Sequence, residues 1–122
     1  MDRLFAFSGA FLAAIAVSLG AFGAHALKAR LSPADLATFE IGARYQMYHA
    51  LALFIVAWAV TRWPSNLLNA SGWLFILGTT IFSGSLYLLA ISGQRWLGAV
   101  TPLGGLSLII GWAMLAYGIL RA

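Results

Sequence analysis

Charged residues divide the chain into four long apolar stretches. Only seven Lys or Arg and three Asp or Glu residues occur among its 122 residues, and uncharged runs extend over 4–27, 45–61, 63–94 and 96–120. A helix needs roughly 20 apolar residues to cross a hydrocarbon core about 30 Å thick. Three runs are long enough for one crossing each, and the run at 45–61 becomes long enough if its helix begins a few residues earlier. The pattern therefore predicts an all-α fold, a four-transmembrane-helix bundle.

The predicted spans leave no room for a separate soluble module. We place them at about 4–27, 36–62, 70–92 and 102–121, within a single integral membrane domain, 1–122. No hydrophilic linker and no low-complexity segment separates two parts of the chain. No internal repeat is evident either, which argues against an inverted-repeat transporter.

Two of the predicted helices have recognisable first residues. Ser32 is suited to cap a helix, because its side-chain oxygen can accept a hydrogen bond from an N–H of the first turn. Pro33 then takes the first helical position, where its missing N–H costs nothing, and Asp35 lies near the positive end of the helix dipole. By the same rule, Thr101 and Pro102 predict the start of the fourth helix.

Small residues recur at helical spacing in the first and last spans. In the first span they follow each other at steps of four and three: Gly9, Ala13, Ala16, Gly20 and Gly23. In the last span they repeat at steps of seven: Gly104, Gly111 and Gly118. Small residues allow close approach of helix backbones in lipid. We therefore predict two helix-contact stripes, one used inside the bundle and one offered to a partner.

The net charge of +4 does not indicate a nucleic-acid-binding protein. The basic residues are scattered singly at the ends of the spans, where arginine anchors a helix to lipid headgroups. Binding to nucleic acid needs a basic patch or stripe. The absence of cysteine excludes disulfides, iron–sulfur clusters and thiol chemistry.

Polar chemistry is concentrated at the start of the second span. In a chain with 62% hydrophobic and 8% charged residues, such a cluster is costly and indicates a specific role. Glu40 and Arg44 are four residues apart, in the order that favours a helical ion pair. With their neighbours they form one candidate polar pocket: His25, Glu40, Arg44, Tyr45, Gln46, Tyr48 and His49.

Two interpretations of this polar cluster remain open. The polar side chains cover more than half of the helix circumference, and lipid tails could not satisfy them. In the first interpretation they form an internal network, in which Arg44 pairs with Glu40 and His49 bonds a hydroxyl group. In the second they line a pocket with His49 as its floor and His25 as its lid.

Catalysis and cofactor binding have little support in the sequence. No nucleophile–base pair, phosphate-binding loop or carboxylate pair is present, so we predict a protein that is not an enzyme. A haem held by His25 and His49 lacks an attachment motif, and these histidines with Glu40 make only a weak metal site. We therefore predict no cofactor and no metal. Hydroxyl groups in the third span could line a polar path between the helices: Thr79, Thr80, Ser83 and Ser85. In membrane helices, however, such hydroxyl groups usually bond the backbone or a neighbouring helix.

Several short motifs, in this order along the chain, carry a family resemblance. They are GAFGAHAL at 20–27, FE at 39–40, RYQMYHAL at 44–51, FSGSLY at 82–87 and TPLGG at 101–105. Together they resemble the domain-of-unknown-function family 423, small membrane proteins that include bacterial YgdD-like proteins and animal transmembrane protein 256. The resemblance implies a four-helix protein of the bacterial inner membrane, and it implies no established activity.

The leading functional hypothesis is association through helix packing. The chain would then act as a subunit, an assembly factor or a homo-oligomer, with the lipid bilayer and other membrane proteins as its partners. The alternative is a small transporter, or a protein that binds lipid or a small ligand, using the polar pocket around Glu40, Arg44 and His49. Four-span multidrug exporters carry a carboxylate inside the first span, and this chain has none there.

Overall fold

The computed structural model describes all 122 residues, which form helices and no strands. Four long helices follow one another: α1, Asp2–Leu27; α2, Pro33–Arg62; α3, Asn66–Ser92; and α4, Leu97–Arg121. The all-α fold is therefore confirmed. Three of these helices, α1, α3 and α4, are long and apolar enough to cross a membrane. The fourth, α2, is the longest, with 30 residues, but carries the polar cluster in its first half.

The start of α2 is as predicted. The Ser32 side chain accepts a hydrogen bond from the backbone N–H of Asp35 at 3.1 Å, and Pro33 is the first helical residue. The third helix begins earlier than expected, at Asn66, because the Ser65 side chain caps it by accepting from the N–H of Leu67.

The predicted start of the fourth helix at Thr101 and Pro102 is wrong. The helix begins at Leu97, and Pro102 lies inside it. The N–H groups of Leu97 and Gly98 donate to carbonyls three residues earlier, which starts the helix one turn before the proline. Proline within the first turns removes only one backbone bond, so the helix continues through it.

The first helix contains a wide turn. Residues Ser18–Gly23 form a π-helical segment between the α-helical parts Asp2–Val17 and Ala24–Leu27. A π-turn bonds each N–H five residues back rather than four, and such turns are frequent at functional sites. The wide turn lies against the first half of α2, beside the polar cluster.

The helices pack in chain order as an open row rather than as a closed ring. The extended interfaces join α1 to α2, α2 to α3 and α3 to α4, and no comparable interface joins α1 to α4. Single side chains reach further across the row. Phe5 of α1 packs against α3 beside Gly72, and Trp112 of α4 reaches His49 of α2.

Both stripes of small residues face neighbours within the chain. On α1, a side chain at Gly9 would meet the backbone oxygen of Ala50 at 2.7 Å. On α4, a side chain at Gly104 would collide with the backbone of Phe82. The remaining glycines of the two stripes lie against Ala43, Phe39, Phe75 and Leu68. Contrary to our expectation, neither stripe is left as a whole for a partner; Gly20 is the one residue of the two stripes that remains exposed.

Candidate functional site

Glu40 and Arg44 lie on the outer face of α2, next to α1. Both side chains are exposed, and neither makes a hydrogen bond or an ion pair. The ion pair expected between them is therefore absent. Together with Ala16, Gly20 and Ala43 they line an open groove of about 280 Å³ between the two helices.

The groove exists because the helices carry small residues at this level. Gly20 belongs to the π-helical turn of α1, and a Cβ atom there would still lie 3.7 Å from the Cβ of Ala43. No bulky side chain from α1 fills the space beside the two charged groups. The groove thus combines a small, apolar floor with one negative and one positive side chain at its edge.

Gln46 points in the opposite direction, into the protein. Its side chain is 4% exposed and is bonded at both ends. The amide nitrogen donates to the backbone oxygen of Leu12 on α1 at 2.8 Å, and the amide oxygen accepts from the hydroxyl of Tyr87 on α3 at 2.7 Å. One side chain of α2 thereby joins three helices.

His49 is also buried, 5% exposed, with both ring nitrogens engaged. Its Nδ1 lies 2.8 Å from the backbone oxygen of Tyr45, and the indole N–H of Trp112 donates to Nε2 at 3.0 Å. A carbonyl only accepts and an indole N–H only donates, so this network assigns the ring proton to Nδ1 and makes the ring neutral. In this arrangement His49 has no lone pair left to bind a metal or a haem iron.

A second, mainly apolar cavity of about 390 Å³ lies on the His49 side of α2. It is formed by α2, α3 and α4 and lined by Tyr45, His49, Phe82, Gly105, Leu108, Ile109 and Trp112. The ring of Tyr45 packs against Phe82, with centroids 5.0 Å apart. The cavity is separate from the groove beside Glu40 and Arg44, since no residue lines both.

The seven residues of the predicted pocket therefore do not converge on one space. Glu40 and Arg44 face the α1 groove, Tyr45 and His49 face the α3–α4 cavity, and Gln46 bridges helices inside. The other two, His25 and Tyr48, are exposed and line neither space.

The hydroxyl groups of α3 are mostly bonded and do not form a continuous polar path. Ser83 donates to the backbone oxygen of Gly42 at 2.7 Å, and Thr80 donates to its own helix. Ser85 bonds the hydroxyl of Thr101 on α4 at 2.6 Å. Only the buried hydroxyl of Thr79 lacks a partner.

Sequence reasoning missed three of the groups that hold this network. Trp112 has a usable signal, because a tryptophan well inside a helix, away from the interfacial belt, needs a partner for its N–H. Tyr87 ends the FSGSLY motif near the end of α3, where tyrosine is common, and the motif does not indicate a partner for its hydroxyl. The third group, the backbone oxygen of Leu12, has no side-chain signal at all.

The chain is similar to bacterial membrane proteins of unknown function. The family described as "Protein of unknown function (DUF423)" matches residues 19–105. The UPF0382 membrane protein SH2409 of Staphylococcus haemolyticus is 46% identical over 93% of this chain and 92% of its own length. YwdK of Bacillus subtilis is 43% identical over 93% of each chain, and the inner membrane protein YgdD of Escherichia coli is 42% identical over 88% of this chain and 82% of its own.

These similarities confirm the resemblance read from the motifs and the location in a bacterial membrane. No enzyme name occurs among these relatives. No solved structure matches the chain significantly.

Proposed function

This chain belongs to the DUF423 family of membrane proteins, and on that premise we propose that it binds a membrane lipid and catalyses no reaction. It would do so as one domain of four membrane spans in the bacterial inner membrane. The observation that carries the proposal is the open groove between α1 and α2, where Glu40 and Arg44 have no partner within the chain.

The position of α2 supports a fourth span. It lies between α1 and α3 along its length, with Gly9 beside Ala50 at one level and Gly23 beside Phe39 at another. Its most polar buried side chains, Gln46 and His49, are bonded to neighbouring helices. A helix whose polar groups are satisfied in this way can cross a membrane despite its composition.

The length of α2 then gives the position of the groove along the membrane normal. Arg62 follows Arg44 by eighteen positions, which is about 27 Å at 1.5 Å per residue. This is close to the thickness of the hydrocarbon core. With Arg62 at one membrane surface, Arg44 lies at the headgroup level of the other, and Glu40 lies about 6 Å further out. The unpaired charges would therefore face lipid headgroups.

Lipid binding is better supported than a transport function. A transporter needs a polar route, whereas the buried polar side chains Gln46, His49, Ser83 and Ser85 are engaged in bonds between or within helices. The one buried hydroxyl without a partner, that of Thr79, is isolated and does not form a route.

Native mass spectrometry of the protein released from a mild detergent tests lipid binding. We expect the purified chain to retain phospholipid and the Arg44→Gln variant to retain less. The matched control is Arg95→Gln, which removes an exposed positive charge elsewhere at the same end of the protein. Release of a lipid-free wild-type protein under the mildest conditions would contradict the proposal.

The second candidate function is association with a second copy or another membrane protein. It is favoured by the open row, in which α1 and α4 each pack along one neighbour only. Phe7, Phe11 and Phe22 are exposed along α1. Crosslinking in native membranes tests it: specific crosslinks from the edge helices are expected, and a strictly monomeric protein without partners would count against it.

A further inference from the structure

The α1–α2 groove holds two opposite charges that do not neutralise each other. Glu40 and Arg44 are one helical turn apart, which puts their Cβ atoms about 6 Å from each other. No ion pair joins them, and no other side chain bonds either of them. A ligand that carries both a negative and a positive group can satisfy both residues at once.

The order of the two charges along the membrane normal matches a phospholipid. In a phospholipid the acyl chains lie innermost, the phosphate follows, and the headgroup alcohol with its amine continues from the phosphate. Arg44 is the deeper residue, and its planar guanidinium is suited to bind phosphate oxygens in a bidentate manner. Glu40, one turn further out, is placed to accept hydrogen bonds from an ammonium group.

The face of α2 below the charges is apolar, as acyl chains require. Leu51, Phe54 and Trp58 fall within about 40° of Glu40 around the helix at 3.6 residues per turn. All three side chains are exposed. The small residues Ala16 and Gly20 on α1 leave room for the headgroup itself.

We propose that this groove selects a phospholipid whose headgroup carries a primary ammonium, such as phosphatidylethanolamine. Arg44 would bind the phosphate, and Glu40 would bind the ammonium. A primary ammonium offers three N–H donors to the carboxylate, as a lysine does, whereas the trimethylated amine of phosphatidylcholine offers none. An anionic headgroup without an amine would leave Glu40 unpaired. The inference rests on the proposed lipid binding and specifies its ligand.

Competition between headgroups in nanodiscs of defined composition tests this selection. The discs contain equal parts of phosphatidylethanolamine, phosphatidylglycerol and phosphatidylcholine, and native mass spectrometry identifies the lipids that remain on the released protein. For the wild type we expect phosphatidylethanolamine to be enriched about tenfold over phosphatidylcholine, the effect of one charge-assisted hydrogen-bonded contact.

Two charge variants separate the roles of the residues. Glu40→Gln is expected to abolish the preference for the ethanolamine headgroup while phospholipid is still retained. Arg44→Gln is expected to lower retention of all three lipids. Asp2→Asn makes the same charge change as Glu40→Gln at the opposite end of the protein and should leave the preference intact.

A third variant blocks the groove without changing charge. Gly20→Leu has room for its Cβ atom, since Ala43 lies 3.7 Å away, and its longer side chain would occupy the headgroup space. We expect it to lower lipid retention, with a thermal unfolding curve like that of the wild type. Glycerophosphoethanolamine, which has the same headgroup without acyl chains, should not displace the bound lipid. Displacement would instead identify a site for the free headgroup.

The possible failures are distinguishable. If no lipid is retained, both the proposed function and the headgroup assignment are wrong. If lipid is retained without preference, if phosphatidylglycerol is enriched over phosphatidylethanolamine, or if Glu40→Gln keeps the preference, only the headgroup assignment is overturned.

Discussion

Two neighbouring parts of α2 place their polar side chains in opposite environments. On the inner side, Gln46 and His49 are buried and bonded to α1, α3 and α4. On the outer side, Glu40 and Arg44 are exposed and have no partner. Both pairs make α2 the least apolar of the four helices, yet only the inner pair holds the helices together.

If α2 is the fourth span that we propose, the difference shows how a membrane helix can carry polar residues for two purposes. A polar group that faces neighbouring helices is stabilised by hydrogen bonds to them, because no water is present to satisfy it. A charged group at headgroup depth meets water and lipid phosphates and can remain without a protein partner. We therefore read the inner pair as structural and the outer pair as available for a ligand. Stability measurements on variants of each region test this division.

The largest effect on stability is expected for Gln46→Leu. Leucine keeps most of the volume but removes the hydrogen bonds to Leu12 and Tyr87, and the loss of two such bonds costs about 2 kcal/mol. Thermal or denaturant unfolding in detergent measures the loss. Tyr48→Phe is the control, because Tyr48 is exposed on the same helix and its hydroxyl makes no hydrogen bond. Equal stability of the two variants would mean that Gln46 does not bind the helices together.

The next largest loss of stability, about 1 kcal/mol, is expected for Tyr87→Phe. Because Tyr87 and Gln46 share one hydrogen bond, the double variant should lose less than the sum of the single losses. Coupling energies between membrane helices average about 0.6 kcal/mol and reach about 1.7 kcal/mol. Additive losses would show that the hydroxyl and the amide do not interact.

The sequence contains the information that separates the two sides, although it does not say where the neighbours are. On a helical wheel, Glu40 and Arg44 fall close together on one side of α2, while Gln46 and His49 fall on the opposite side. Grouping them in one pocket assumed a single neighbour wrapped around all these directions. In the structure α1 and α3 flank α2 on different sides, so each side chain meets a different environment.

Other parts of the fold follow more directly from the sequence. The apolar runs predict the helices, and the Ser32–Pro33 signal predicts the start of α2. The same kind of signal fails at Thr101, since a proline in the early turns is tolerated once an upstream turn has started the helix. Local signals thus locate a helix, and its packing partners decide which of its faces are used.

A smaller effect is expected where His49 meets α4. Trp112→Phe keeps an aromatic ring beside Phe75 but removes the N–H that donates to His49. We expect a loss of about 1 kcal/mol or less, because Trp112 is partly exposed and its hydrogen bond is of ordinary strength. Trp96→Phe is the control, since Trp96 is exposed and its indole N–H makes no bond. If both substitutions cost the same, the bond to His49 contributes nothing.

The smallest effect on stability is expected for Glu40→Ala and Arg44→Ala. Both side chains are exposed and unpaired, and even paired surface charges contribute only about 0–1 kcal/mol. Each variant should therefore unfold within about 0.5 kcal/mol of the wild type in lipid-free detergent. Added phospholipid should increase the difference in stability between the wild type and each variant, because a ligand stabilises only the folded protein that binds it. A large loss without lipid would instead place these charges among the groups that hold α1 against α2, and the contrast between the two sides of α2 would disappear.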